Sequence, residues 1–232
     1  MFWILKAEAA AGDPGQELLS GSLGKLGPYI LKAPGTYKVG RKDSDISIND
    51  RAVSRHHADI VVGPLGPLPD PAVSGTAVDR TKAMADWISI WRPSIKVKDV
   101  SKFGTLVCDR SGTKKQSETP DRSAELNEGD LVVFLHCKVH FRLECKPIIA
   151  CVSSVVESER RRQLTHNLKS AGAGVVAQWS EFATHLVVDD GAHCNDEIVA
   201  AVSAGRHLVH SRWAEALALR QTVRDVLPPE EE

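Results

Sequence analysis

Between residues 29 and 109 the chain alternates short β-branched segments with turn formers. Tyr29–Leu31, Thr36–Gly40, Ile46–Asp50, His57–Gly63, Asp86–Trp91, Ile95–Ser101 and Thr105–Asp109 read as strands. From Val133 to Cys145 every odd position is apolar or cysteine. The even positions from His136 on are His136, Lys138, His140, Arg142 and Glu144. That period of two predicts one buried and one wet face, on a single long strand or on two joined by a tight turn near His136–Lys138. Trp87 and Trp91 fall on one strand face and are expected to pack the interior. Many short strands without a convincing long helix predict a β-sandwich.

The period changes after Lys146-Pro147. Ile148–Ser153 reads as a strand and Ser158–Ser170 as a helix, with Gly172 and Gly174 as stop signals. Strands are predicted at Val175–Trp179, Thr184–Val188 and His207–Val209. Helices are predicted at Asp196–Ala204, ended by Gly205, and at Arg212–Arg220, closed by Pro228-Pro229. The order β-α-β-β-α-β-α predicts a small α/β domain around a mainly parallel sheet. The expected organisation is a β-sandwich over residues 1–146 and an α/β domain over 147–230. Gly63–Ala85 is Pro/Gly-rich and reads as a mobile surface insertion. Arg110–Ser123 reads as a hairpin-type loop.

The 232 residues carry 29 Lys+Arg against 30 Asp+Glu, so a polybasic nucleic-acid or membrane-surface binder is disfavoured. The balance is uneven along the chain. Residues 1–146 hold 21 basic and 18 acidic residues, and the remainder 8 and 12. A slightly basic sandwich therefore precedes an acidic α/β domain. The start lacks the basic leader and apolar run of a signal peptide, and no apolar run approaches the roughly 18 residues of a membrane span. The five cysteines, an odd number without C-x-x-C, read as buried free thiols in a reducing compartment, cytosol or nucleus.

Three segments suit anion recognition: Val39-Gly40-Arg41-Lys42, Val53-Ser54-Arg55-His56-His57-Ala58 and Asp99-Val100-Ser101-Lys102-Phe103-Gly104-Thr105. Strand-end loops of a sandwich gather at one rim. A rim joining Arg41, Ser54, Arg55, Ser101 and Lys102 offers three cations and two hydroxyls. Guanidinium forks give paired charge-assisted bonds to a phosphate, and hydroxyls fill the remaining lone pairs.

Gly40-Arg41, Ser54-x-x-His57-Ala58 and Asp99-x-Ser101-x-x-Gly104-Thr105 together resemble the forkhead-associated (FHA) domain, a β-sandwich that binds phosphothreonine peptides. The resemblance implies phosphate binding by Arg41 and Ser54, helped by Arg55 and Lys102. It implies structural support from Gly40, His57, Gly104 and Thr105. Phe103 stands where the family carries an Asn that grips the peptide main chain, and a further family Asn is missing near Cys108.

The second part resembles a BRCT domain through Gly172-Ala173-Gly174, Thr184–Val188 and Trp213. That resemblance implies a candidate second phosphate site at Ser153, Ser154 and Gly172. Glu197, however, aligns with the Lys the family uses to hold phosphate. An FHA domain running directly into a BRCT domain resembles the regulatory subunits of complexes that process DNA double-strand breaks. It implies a nuclear, non-catalytic adaptor binding acidic repair proteins that carry phosphothreonine. The break-repair nuclease–ATPase complex and a second BRCT domain would be reached through regions outside this chain, which reads as an N-terminal fragment. No cofactor is implied.

Three features suggest rival readings. His136, Cys137, His140 and Cys145 lie close together, but on a strand the histidines face away from the cysteines, so no metal site is expected. No G-x-S-x-G, P-loop, H-E-x-x-H or G-x-G-x-x-G frame supports an enzyme. Arg160-Arg161-Arg162 reads as a solvated helix face, or else as a salt-dependent contact to DNA or an acidic partner. Direct DNA contact through a vestigial phosphate rim is the alternative function.

Overall fold

The computed structural model describes residues 1–9, 26–68, 86, 88–115, 122–137 and 139–230. In chain order its first strands are β1 (Phe2–Ala9), β2 (Tyr29–Lys32), β3 (Gly35–Gly40), β4 (Ile46–Ser47), β5 (Ala58–Val62) and β6 (Ile95–Asp99). They are followed by β7 (Thr105–Cys108), β8 (Lys114–Lys115), β9 (Ser123–Leu126), β10 (Leu131–Phe134) and β11 (Val139–Lys146). One sheet runs β2-β1-β11-β10-β7-β8 and the other β4-β3-β5-β6-β9, every pair antiparallel except β3 with β4. Alternation drives the sandwich. Ala58, Ile60 and Val62 of β5 turn inward, as do Ile95 and Val97 of β6, against Trp3, Leu31 and Phe141 of the facing sheet. Burying one such aliphatic side chain contributes about 1.5–3 kcal/mol.

The segment around His136 is two strands joined by a tight turn. Cys137 N donates to Phe134 O at 2.9 Å, and His136 has φ 66°, in the left-handed region. The turn also shifts the phase. In β11 the odd positions Val139, Phe141 and Leu143 are buried, as the pattern predicts, but in β10 the even positions Val132 and Phe134 are. Asp86–Trp91 is not a strand. Arg92 N donates to Ile88 O at 2.9 Å, closing a helical turn that ends before Pro93. Trp91 leaves the sandwich interior and packs with Met1, Ile149 and Phe182; Trp87 lies outside the described residues.

Of the expected insertion, residues 69–85 also lie outside. The preceding Gly63–Leu68 folds back onto the turn, with Gly63 N on Ser94 O and Gly66 N on Trp91 O. A Cβ on Gly66 would meet Ile90 O at 2.4 Å, so only glycine allows that approach.

The second domain comprises β12 (Ile149–Val152), α1 (Ser158–Ala171), β13 (Gly174–Val176), β14 (His185–Val188), α2 (Asp196–Ser203), β15 (His207–His210) and α3 (Ser211–Ala218). Its sheet is fully parallel in the order β13-β12-β14-β15. Glu157 caps α1 by accepting from Glu159 N and Arg160 N, and Gly172 closes it at φ 94°. β13 stops at Val176, short of Trp179. No helix of the described residues is long and apolar enough to cross a membrane.

The two domains dock tightly. The Met1 amine donates to Gly172 O at 2.5 Å, and burial pushes its pKa down to about 5. A Cβ on Gly174 would strike the Trp91 ring at 2.6 Å. After α3 the chain returns to the sandwich. Ile30 N donates to Val223 O at 2.7 Å, Val223 joins the sandwich core, and the Arg220 guanidinium lies 5.4 Å from the Phe2 ring centroid. Glu230 then bridges the domains, with Lys146 Nζ at 2.7 Å on one side and His185 Nε2 at 3.2 Å on the other. His185 is buried between the His207 and Trp213 rings.

Two measurements test this junction. Trp91→Ala should cost about 3–5 kcal/mol in denaturant unfolding, the range for emptying a buried Trp site, while leaving a single transition for both domains. Burial holds the His185 pKa down at about 4 despite Glu230. Below about pH 6.5 the unfolded chain therefore takes up a proton that the folded one refuses. Stability should fall as pH drops from about 6.5 to 4, by up to about 3 kcal/mol. In His185→Gln that part of the pH dependence should vanish.

Candidate functional site

The rim forms where β3, the β4–β5 loop and the β6–β7 loop meet. Gly40 ends β3 with Arg55 O pressed against it; a Cβ there would lie 2.1 Å from that oxygen. Arg41 N donates to Ser54 O at 2.9 Å, and Lys102 N approaches Ser54 Oγ at 3.5 Å. The backbone thus brings Arg41, Ser54, Arg55 and Lys102 to one edge, with the three cationic side chains exposed. No carboxylate pairs with Arg41, Arg55 or Lys102 among the described residues.

His57 lies beneath them, fully buried. Its Nδ1 accepts from Ser54 N at 3.1 Å, and its Nε2 donates to Gly104 O at 3.3 Å. The partners assign the neutral Nε2–H tautomer. Burial lowers its pKa, against the raising effect of the Gly104 carbonyl. One uncharged ring therefore ties the β4–β5 loop to the β6–β7 loop.

Ser101 departs from the expectation. It is 5% exposed, and its Oγ accepts from Gly104 N at 2.7 Å. It braces the loop from inside and does not present its hydroxyl at the rim. Asp99 completes the brace: Oδ1 accepts from Ser101 N at 3.0 Å and Thr105 Oγ1 at 3.1 Å, and Oδ2 pairs with Arg122. Arg122 Nη1 donates to Ser101 O at 3.1 Å. The short Asp99-x-Ser101 spacing signals the turn, whereas nothing local marks Arg122, because it comes from the residue just before β9. Gly104 adopts φ 107°, a conformation that favours glycine. Phe103 is 47% exposed. It meets the His136 ring edge-on at 5.5 Å, with Lys102 Nζ 5.7 Å from its centroid. Leu135 N on Gly104 O fixes the β10–β11 turn beside it.

The candidate second site does not assemble as expected. Ser153 is fully buried, and its Oγ donates to Glu197 Oε2 at 2.6 Å; Ser154 N donates to the same oxygen at 2.8 Å. A carboxylate of the chain itself occupies the donors a phosphate would need. Burial alone would raise the Glu197 pKa, but these bonds outweigh it and hold the carboxyl below its ordinary value. Gly172 lies elsewhere. Parallel pairing sets Gly174 beside Ile149, so Ser153 stands about 13 Å further along β12 at 3.3 Å per residue. Gly172 N is spent on Lys169 O.

The remaining groups are otherwise engaged. His136 sits exposed on its turn, and Cys137 is buried. Cys145 and Cys151 are pushed by burial to about 11 and 12, while Cys194, against expectation, is exposed. Arg160 pairs with Asp189 and Glu215, Arg161 holds Ser154 O and Val156 O, and Arg162 pairs with Glu159. The tight His/Asp/Glu groupings among the described residues are His185–His207–Glu230 and Asp189–Asp190–His210. Lys146 and Arg160 respectively reach into them.

Residues 37–135 match the model of the FHA domain. The chain is 33% identical over 192 residues to a nibrin homolog of Oryza sativa subsp. indica, covering 82% of this chain and 31% of that protein. It is 29% identical to a nibrin homolog of Arabidopsis thaliana over 85% of this chain and 35% of the relative. For nibrin of Mus musculus the identity is 28%, over 80% and 22%. The chain thus spans about a third or less of these relatives. The FHA/BRCT-repeat domain of S. pombe Nbs1 superposes with TM-score 0.61 at 19% identity, covering 98% of this chain and 63% of that one. The S. pombe Nbs1–Ctp1 complex matches with TM-score 0.58 at 19% identity, over 93% and 58%. The fold is an FHA sandwich followed by a BRCT domain, and the chain is similar to the nibrins.

Glu197→Ala should strand the buried Ser153 hydroxyl and cost about 1–3 kcal/mol, measured by denaturant unfolding. Unchanged stability would mean that the carboxylate does not hold this niche.

Proposed function

We propose that this chain, which shares its FHA–BRCT architecture with the nibrins, is a non-catalytic adaptor whose FHA rim binds phosphothreonine in acidic segments of DNA-repair proteins. The observation that carries the reading is the cluster of cations without counter-ions. Arg41, Arg55 and Lys102 converge around Ser54 with no carboxylate among the described residues, whereas Arg160, Arg162 and Arg212 of the BRCT domain each have one. A phosphothreonine brings about −2 charge and three acceptor oxygens. The guanidiniums supply paired charge-assisted bonds, and Ser54 supplies a hydroxyl. His57 and Asp99 hold the loops in place before the ligand arrives, so little ordering remains to oppose binding.

Ser101 acts from below as a support, with Gly40, Gly104 and Thr105. Phe103 offers no amide for the peptide main chain, so charge carries more of the recognition than in FHA domains with Asn there. The Nbs1–Ctp1 complex of S. pombe supports a protein partner. By analogy with the nibrins, the chain works in the nucleus. Regions beyond it would link it to the break-repair nuclease–ATPase complex and to checkpoint signalling.

The Phe103 departure favours one second reading, a structural or DNA-contacting module with a vestigial rim. The two separate in a titration of wild type and Arg41→Ala with a phosphothreonine peptide bearing acidic residues. Arg41→Ala should weaken binding by about 30-fold or more, as losing a partner of a desolvated charge predicts, and the unphosphorylated peptide should bind neither form. Equal affinities across variants and peptides would leave the vestigial reading standing.

A further inference from the structure

The sequence marks Arg160–Arg162, and phosphate binding at the FHA rim makes no use of it. Arg160 turns toward α3, where Asp189 and Glu215 neutralise it. Arg161 and Arg162 turn the other way, with Lys169 two turns further along α1. These three cations wall a cleft of about 320 Å³ between α1 and β13, floored by Val152, Val175 and Val176. Arg161 spends its Nη2 on two neutral carbonyls and makes no ion pair among the described residues, and its buried Nε has no partner. Lys169 has no carboxylate among the described residues, and the Arg162 pair with Glu159 is a solvent-exposed contact of little strength. A basic face has thus been built into the acidic half of the chain.

The floor of the cleft is also the edge of a sheet. β13 stands at the end of the order β13-β12-β14-β15, and among the described residues β12 is its one strand partner. Edge strands offer unpaired backbone groups to an added chain, and such addition reads alternate side chains in flanking pockets. We infer that the α1–β13 cleft is a second docking surface, separate from the FHA rim, for an extended acidic peptide segment that lies along β13. Its carboxylates face Arg161, Arg162 and Lys169 on the α1 side of the sheet, and its intervening apolar side chains meet Val176 on the other face. Charge complementarity selects the acidic segment. The small cleft with an apolar floor suits a peptide, whereas a duplex would ask for a broad exposed basic face.

The probe is a fluorescent peptide alternating Glu and Val, titrated into the whole chain beside a Lys/Val control and a short DNA duplex. The variant is Arg162→Glu with Lys169→Glu; both residues are exposed, so the fold is retained, as a thermal melt will confirm. The Glu/Val peptide should bind saturably, weaken as salt rises, and lose about tenfold or more in the double variant. The phosphothreonine peptide of the rim should bind that variant as it binds wild type, and the Glu/Val peptide should bind Arg41→Ala unchanged. No saturable binding of the Glu/Val peptide, or equal affinity in the double variant, overturns the proposal. So does a duplex that binds more tightly than the peptide and is lost in the same variant, because the cleft would then be a nucleic-acid contact.

Discussion

A single uncharged imidazole holds the rim together. The His57 ring accepts from the backbone of one loop and donates to the backbone of another. It does so at zero solvent exposure, with its flank against Phe134 at 5.0 Å. Charging the ring would place a proton on the nitrogen that must accept from Ser54 N, so the loop geometry requires the neutral form. Burial supplies that requirement by lowering the pKa. Arg41, Ser54 and Lys102 follow from it, because their positions are set by the backbone segments the ring joins. The division of labour is physical: uncharged, buried groups fix the frame, and charged, solvated groups at its edge are left free of internal partners.

The BRCT domain shows the opposite solution to a similar set of donors. Ser153 and Ser154 N would suit an anion, and Glu197 supplies one from within the chain. An external phosphate would have to displace a carboxylate that is already doubly hydrogen-bonded. Repulsion between the two anions adds to that cost. Glu197 thus makes of these donors a structural bond between the end of β12 and the start of α2.

Much of this was legible in the sequence. Period two marked β5, β6 and β11, and the change of texture after Lys146 marked the passage to the parallel sheet. Arg41, Ser54 and Lys102 were readable because their spacing places them at strand ends. What failed did so for identifiable reasons. Trp87 and Trp91 share a face on a strand and also on a helix, so their spacing could not choose between the two, and Pro93 with the Ile88–Arg92 bond decided for the helix. Gly172 goes with Ser153 only through the BRCT resemblance; in a parallel β-α-β unit the turn before β13 lies at the opposite end of the sheet from the end of β12, as the register shows. Ser101 looked like a ligand from its residue type alone, whereas its burial depends on Asp99 and on Arg122, more than twenty residues away.

The return of the chain from α3 into the sandwich, through Val223 and Glu230, fixes a distance as well as an orientation. Joined by a floppy tether, two modules search independently, and the second contact is diluted by the tether's range. Here the BRCT surface stands at a set interval and angle from the FHA rim. A partner touching both is measured against a ruler, so the spacing between its two contact points becomes part of what is read.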